Sequence, residues 1–269
     1  GPGRRAETAL RLGIALGQFW EMRGYLGEGR QWLNQVVEAG RAQLVDRAPI
    51  ERQTRFGQAL NWVSELTWRQ GDCASARELA EEALTLFRAL DDKRGMAGAL
   101  NNLGNAAYYQ SDYAQARMFW EESLMLARES SDKRITATAL NNLGAAAFNQ
   151  GEYALARALY EQSLSLRRAS GDKRGMAISL NNLGFVTLYQ GDYAPARALL
   201  EESLSLAREL GDKRSIATSL DFSGTAAFNQ GDYAQARALY EESLAIRHEL
   251  GDKLGVGALR FGIGRLALA

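Results

Sequence analysis

The chain predicts an all-α solenoid in which helical hairpins stack one upon the next. Three observations carry that prediction: a 40-residue period, a helix-forming composition with only three prolines, and Gly-Asp pairs at regular breaks. The phrase Ala-Leu-Asn-Asn-Leu-Gly at Ala99–Gly104 returns at Ala139–Gly144, as Ser-Leu-Asn-Asn-Leu-Gly at Ser179–Gly184, and degraded at Ser219–Gly224. A second phrase, Gly-Asp-Tyr-Ala-x-Ala-Arg, occurs at Gly191–Arg197 and Gly231–Arg237, with variants at Ser111–Arg117 and Gly151–Arg157. A fixed period of this length is the mark of a repeat array. Each unit then contacts mainly its neighbours and exposes one long surface, which favours a binding scaffold over an enzyme.

The elements follow in order. Gly1-Pro2-Gly3 reads as the remnant of a cleaved expression tag. Residues 4–49 form a divergent hairpin and linker, because Gly24–Arg30 aligns without gaps onto Gly231–Arg237. The next matching glycine, Gly71, comes 47 residues later, so seven extra residues fall around Ala42–Pro49. Residues 50–250 make five regular hairpins. In the unit from Asp132 to Gly171, Asp132 caps a first helix over about Lys133–Gln150, whose Ala139, Leu140, Leu143 and Ala147 recur at helical spacing. Gly151-Glu152 interrupts it, and a second helix follows over about Tyr153–Ser170, with Ala156, Leu159, Tyr160, Ser163, Leu164 and Leu166. Gly171-Asp172 ends that helix and caps the next. Residues 251–269 hold one further first helix without a partner, in which Phe261-Gly262-Ile263-Gly264 replaces Asn-Asn-Leu-Gly.

Small residues at fixed phases predict the packing. Gly104, Gly144, Gly184 and Gly224 sit mid-helix, where glycine costs about 1 kcal/mol against alanine. A neighbouring helix must therefore approach closely there. Ala116, Ala156, Ala196 and Ala236 occupy the facing phase, and Trp120, Tyr160, Leu200 and Tyr240 fill the space beyond. Arg117, Arg157, Arg197 and Arg237 precede glutamates by four residues and read as solvated surface pairs.

Composition narrows the function. Apolar residues are 46%, and 32 basic residues balance 32 acidic ones, so no basic face for nucleic acid or an anionic membrane is expected. The single cysteine, Cys73, excludes an internal disulfide and points to a reducing, cytoplasmic setting. It holds the phase of Tyr113, Tyr153, Tyr193 and Tyr233 and reads as a packing substitute. No secretion leader is visible, and Gly175–Gly191, an uncharged run that no other exceeds, is a repeat helix and not a membrane span. No metal-ligand spacing appears, no cofactor motif appears, and the one histidine, His248, reads as surface. The chain is expected not to be an enzyme.

Leu-Gly in the first helix, with alanine and then a large aromatic in the second, resembles the tetratricopeptide repeat. That family's usual period is about 34 residues. The longer period here is similar to the Leu-Gly-Asn repeat-enriched spindle scaffolds, whose motif Leu103-Gly104-Asn105 spells, and more loosely to kinesin light chains. The resemblance implies a right-handed superhelix with first helices lining a concave groove. The stretch from Phe19 to Leu33 also resembles the opening of the repeat domain in bacterial signal-transduction ATPases with numerous domains, including MalT-like regulators. That resemblance implies the sensor module of a larger protein. No Gly-x-x-x-x-Gly-Lys-Ser/Thr is present in this sequence. The alternative for this stretch is that Trp20 and Trp32 simply pack an end hairpin.

A helical wheel places Leu140, Leu143, Gly144 and Ala147 on the core side of the first helix, with Thr138, Asn141, Ala145, Phe148 and Asn149 opposite. Stacking turns these phases into ladders: Asn61, Asn101, Asn141, Asn181 and Asp221; Trp68, Tyr108, Phe148, Leu188 and Phe228; Arg69, Tyr109, Asn149, Tyr189 and Asn229. Asn105 and Phe185 add one polar and one apolar point. Asparagine is a poor mid-helix residue, so its repeated phase asks for a reason. Its amide both donates and accepts, which suits the backbone of an extended peptide. Asp221 adds a negative charge that favours a cationic group. Asn102, Asn142 and Asn182 lie at the edge and have a second reading, bonds between neighbouring helices. Duplication of one ancestral unit also preserves phase.

The leading expectation is a monomeric sensor module that binds a protein or peptide in this groove. The alternative is a small-molecule sensor, since MalT-like repeat domains take a sugar inducer and an aromatic, amide-lined groove suits sugars as well.

Overall fold

The computed structural model describes residues 2–41 and 48–266, so the inserted residues around Ala42–Pro49 and the chain's last three residues lie largely or wholly outside it. Thirteen helices follow in successive antiparallel pairs, with no strand among the described residues. The divergent hairpin is α1 (Pro2–Arg23) and α2 (Leu26–Arg41). The regular hairpins are α3 (Ile50–Arg69) with α4 (Cys73–Ala89), α5 (Lys93–Tyr109) with α6 (Tyr113–Glu129), and α7 (Lys133–Asn149) with α8 (Tyr153–Ser170). They continue with α9 (Lys173–Tyr189) and α10 (Tyr193–Leu210), then α11 (Lys213–Asn229) and α12 (Tyr233–Glu249). The helix α13 (Lys253–Leu266) is the last. The protein is thus an all-α solenoid of six hairpins plus one helix. It divides into two units, Gly1–Glu21 with Tyr25–Asn142, and Met22–Gly24 with Leu143–Ala269.

The turns explain the period. A left-handed residue recurs every 20 positions from Gly71 to Gly251. At the α8–α9 junction Gly171 has φ 68°, its N–H donates to Arg168 O at 3.2 Å, and the Asp172 N–H donates to Arg167 O at 3.0 Å. These are the bonds of a Schellman stop, which satisfies the last carbonyls of a helix. The Asp172 carboxylate then accepts the Gly175 N–H at 2.9 Å and so caps the next helix. One aspartate ends one helix and begins another, so no loop intervenes. The same double use recurs at Asp72, Asp92, Asp112, Asp132, Asp212, Asp232 and Asp252. Three left-handed positions are not glycine: Asp91 at φ 51°, Ser111 at 65° and Ser131 at 55°.

Within each hairpin the mid-helix glycine lies under the large residue of the second helix. A methyl group added at Gly144 would fall 2.6 Å from the Tyr160 ring, at Gly184 2.8 Å from Leu200, and at Gly224 2.6 Å from Tyr240. At Gly104 it would collide with the Trp120 indole. The close approach expected from sequence is present in all four hairpins. Ala116, Ala156, Ala196 and Ala236 are fully buried beside it.

A buried serine phase accompanies the glycines. Ser123 Oγ donates to Ala97 O at 2.8 Å, Ser203 Oγ to Ala177 O at 2.7 Å, and Ser243 Oγ to Ala217 O at 2.8 Å. Ser163 and Ser179 share a hydroxyl bond at 2.9 Å. These hydroxyls tie second helices to first helices without leaving a buried polar atom unpaired. Arg157, which pairs with Glu161 as expected, also reaches forward one repeat, its Nη1 donating to Gln190 at 3.3 Å. At the same phase Arg30 Nη2 meets Asp72 at 2.7 Å, and each fastens the next turn.

The ends pack as repeats. In the first hairpin Trp20 and Trp32 stand 5.7 Å apart, and Gly29 lets the Trp20 ring lie against α2. At the other end Leu259 and Leu266 of α13 join Ala227, Ala236 and Tyr240 in one cluster. The side chain of Phe261 lies outside the described residues.

Candidate functional site

First helices carry every residue of the site that the sequence singles out, because their second face is not needed by the hairpin. The structure sorts those residues into a buried belt and an exposed strip.

The belt holds the amides. Asn101, Asn141 and Asn181 are all buried, Asn181 to 1% exposure. In the first unit, Asn142 Nδ2 donates to Asn101 Oδ1 at 2.8 Å and to Asn105 Oδ1 at 3.1 Å. Asn102 Nδ2 donates to Asn61 O at 2.8 Å. In the second unit, Ser219 Oγ donates to Asn181 Oδ1 at 2.8 Å. The asparagines therefore link consecutive first helices. The wheel of an isolated helix puts Asn141 opposite the core, but a first helix inside an array is flanked by two more first helices. Its buried arc is accordingly wider than one hairpin requires. Asn105 and Asn142 remain half-buried at the edge of this belt.

Asp221 replaces asparagine in the last full hairpin. Arg247 Nη2 lies 3.5 Å from it, and Arg247 Nη1 lies 2.8 Å from Asp252. Burial raises the Asp221 carboxyl to about 6, partly opposed by the Arg247 charge. The negative charge is thus met from within the fold. Arg174 is likewise paired with the buried Asp212 at 3.2 Å.

The strip holds the rings. In the second unit five aromatics touch in sequence across α7, α8, α9 and α11. Tyr153 lies 5.3 Å from Phe148, Phe148 lies 5.1 Å from Phe185 and 4.9 Å from Tyr189, and Phe185 stacks on Phe222 at 4.1 Å and 19°. Tyr189 is 55% exposed, and Asn149 and Asn229 are exposed beside this strip on their own helices. Phe228 pairs separately with Tyr233 at 5.4 Å. Phe222 escaped the sequence reading, which treated Ser219–Gly224 as a degraded phrase. Its signal was an aromatic at the phase that Asn102, Asn142 and Asn182 hold, where Trp62 also stands.

The first unit has a smaller cluster. Trp68 stacks on Tyr109 at 5.0 Å, Tyr108 meets Tyr109 edge-on at 5.5 Å, and Tyr109 is 49% exposed. The Arg69 guanidinium sits 4.4 Å from the Trp68 ring centre and bridges Glu21 and Glu65.

Among the described residues no group of three histidine, cysteine, aspartate or glutamate side chains is placed to hold a metal ion. No described helix is long and apolar enough to cross a membrane. Cys73 is buried against Trp68, Ala76 and Ala106, and that burial raises its thiol above the ordinary value. His248 is exposed on α12.

Comparison with known proteins agrees with this architecture. Tetratricopeptide repeat models match residues 55–129, 135–209 and 216–251, well over half the chain. No curated protein matches it. Among solved structures the chain is similar to a Rap protein complexed with Competence and Sporulation Factor, with TM-score 0.69, 13% identity, and coverage of 96% of this chain and 76% of that one. It is similar to NprR in complex with its cognate peptide NprX, with TM-score 0.68, 14% identity, and coverage of 93% and 70%. It is also similar to a signal transduction ATPase with numerous domains and a tetratricopeptide repeat sensor from Pyrococcus horikoshii, with TM-score 0.60 and 14% identity. There it covers 95% of this chain and 41% of the other.

Proposed function

The chain belongs to the tetratricopeptide repeat family, and from that membership we propose that it is a non-catalytic scaffold binding an extended peptide or protein segment on the free face of its first helices. The observation that carries this reading is the five-ring strip from Tyr153 to Phe222. Packed helices stand about 8–10 Å apart, so three first helices span about 20 Å. Six extended residues cover the same distance, at about 3.3 Å each. In the second unit Phe148, Phe185, Tyr189 and Phe228 supply burial, and Asn149 and Asn229 supply amides. In the first unit Tyr108, Tyr109 and Asn105 play the same parts. Asn101, Asn141, Asn181 and Asp221 act from beneath, holding the first helices in register. NprR, solved with its cognate peptide NprX, supports a peptide on this fold, and Rap, solved with Competence and Sporulation Factor, supports a bound partner.

The finer reading is a cytoplasmic sensor module of a bacterial signal-transduction ATPase, and the similarity to the Pyrococcus protein supports its sensor part. The second reading is a sugar-like small molecule on the same rings, favoured by the exposed amides next to them.

Peptides selected by display against the parent protein test the site. Retitrated against Tyr189→Ala, they are expected to bind at least about tenfold more weakly, the loss usual for a contributing aromatic. Equal affinity for both proteins, or protection confined to the outer faces of second helices, overturns the site. Saturable binding of oligosaccharides with no selectable peptide favours the second reading.

A further inference from the structure

An aspartate side chain caps α4, α5, α6, α7, α9, α11, α12 and α13. Only α8 and α10 break this series, and neither receives a side-chain cap bond. At α10 the cause is Pro195, which stands where α6 and α12 offer the N–H of Gln115 and Gln235. Proline has no N–H to give. At α8 the cap position holds Glu152, whose longer side chain is not among the good capping residues. The carboxylates of Glu152 and Asp192 are thus released from the helix ends, and both residues are exposed.

These two released carboxylates stand in the turns that carry the ring strip. Glu152 immediately precedes Tyr153, and Asp192 follows the exposed Tyr189 by three residues. The rings of Tyr153 and Tyr189 lie 5.8 Å apart. Charge along this edge is uneven. Arg157 meets Glu161 at 3.1 Å and Asp192 only at 3.8 Å. The Glu152 carboxylate has no ion-pair partner among the described residues. No basic residue lies in the last turn of α7 or α9, so nothing on either helix opposes the negative end of its dipole.

We propose that the segment held on the strip carries an arginine or lysine, whose stem lies along the Tyr189 ring and whose charged head meets Asp192 and Glu152. The inference rests on the strip being the binding surface. Long basic side chains lay their stems on apolar surface and keep the head among polar groups. A cation over an aromatic face is also attracted by the ring itself. The first unit makes the same arrangement from its own residues, where the Arg69 guanidinium lies 4.4 Å from the Trp68 ring centre and bridges Glu21 and Glu65. An acidic segment on the strip would meet like charge.

Random peptides of about six residues, the length that spans the strip, are displayed and selected against the parent protein and against Glu152→Gln with Asp192→Asn. The parent is expected to enrich arginine or lysine beside an aromatic or aliphatic residue. The double variant should keep the apolar preference and lose the basic one. A selected peptide, and its analogue with glutamine at the basic position, are then titrated by fluorescence anisotropy. The double variant should bind the peptide about fivefold or more weakly, the size of one to two exposed ion pairs, and bind the analogue as the parent does. Thermal melts should stay in place, because neither carboxylate caps its helix. Glu201→Gln with Glu241→Gln makes the same change of net charge on α10 and α12 and should leave the affinity unchanged. Peptides selected without a basic residue overturn the proposal, as does an equal loss in that control. Both results leave the strip standing if Tyr189→Ala still weakens binding. Failure to select any peptide removes the strip reading and this inference together.

Discussion

Asp221 and Arg247 face each other at 3.5 Å across the α11–α12 hairpin, at positions that hold Asn181 and Ala207 one repeat earlier. Relative to that repeat an ion pair stands in place of two neutral residues, and the arginine alone recurs at Arg167, in the repeat that keeps Asn141. The carboxylate nevertheless loses more by leaving water than the guanidinium returns, which is why its pKa rises to about 6.

That shift makes stability depend on pH. The folded carboxyl holds its proton more tightly than the unfolded one, so its contribution is complete below pH about 4 and is lost as pH rises through about 6. A shift of about two units corresponds to about 3 kcal/mol. Asp221→Asn, the residue of four other repeats, removes this dependence, and Arg247 keeps Asp252 at 2.8 Å. Urea melts from pH 4 to 7.5 should show the variant gaining about 2–3 kcal/mol on the parent as pH rises. Parallel curves would contradict the burial argument.

The left-handed junctions give a second prediction. Ser111 and Ser131 adopt a conformation that penalises a Cβ by about 1 kcal/mol. Ser111→Gly and Ser131→Gly should each stabilise by about 0.5–1 kcal/mol, net of the entropy glycine adds to the unfolded chain. Asp91→Gly should gain less, because aspartate tolerates this region better. Gly171→Ala should lose stability. Thermal melts that move all four the same way would refute the assignment.

The mid-helix glycines give a graded series. Gly104→Ala must displace the Trp120 indole and should cost about 1–3 kcal/mol. Gly184→Ala meets the flexible Leu200 and should cost less. Chemical denaturation ranks them, and the reverse order would show that the rings are not what limits the approach.

Ser203 is fully buried, and its hydroxyl reaches Ala177 O and Ser219 Oγ. Ser203→Ala should cost about 0.5–1.5 kcal/mol, since Ser219 keeps its bond to Asn181 and no partner is stranded. An unchanged denaturation midpoint would mean that the hydroxyl contributes nothing to the helix–helix contact.

The helices, their ends and the glycine-against-ring packing were legible because each is set by residues within one hairpin. Most of what escaped was set by residues 33 to 41 positions apart. The wheel that turned Asn141 outward contains one helix, and its burial depends on neighbours that a single helix does not include. Arg157 pairs with Glu161 four residues away, as expected, and what went unseen was its bond to Gln190 in the next hairpin. The serine phase was visible as a repeated letter but sat among apolar positions. Phe222 looked like decay of a motif, and only the stacked Phe185 shows what it adds.

The aspartates shared between two helices at Asp172 and Asp212 also bear on how such a chain can grow. A cut and rejoining between these two junctions restores the same stop, the same left-handed glycine and the same cap. Recombination there changes the number of hairpins and alters no kind of contact. A chain carrying residues 172–211 twice is accordingly expected to fold with one more hairpin, and the reach of its first-helix face becomes a quantity that inheritance adjusts in whole steps.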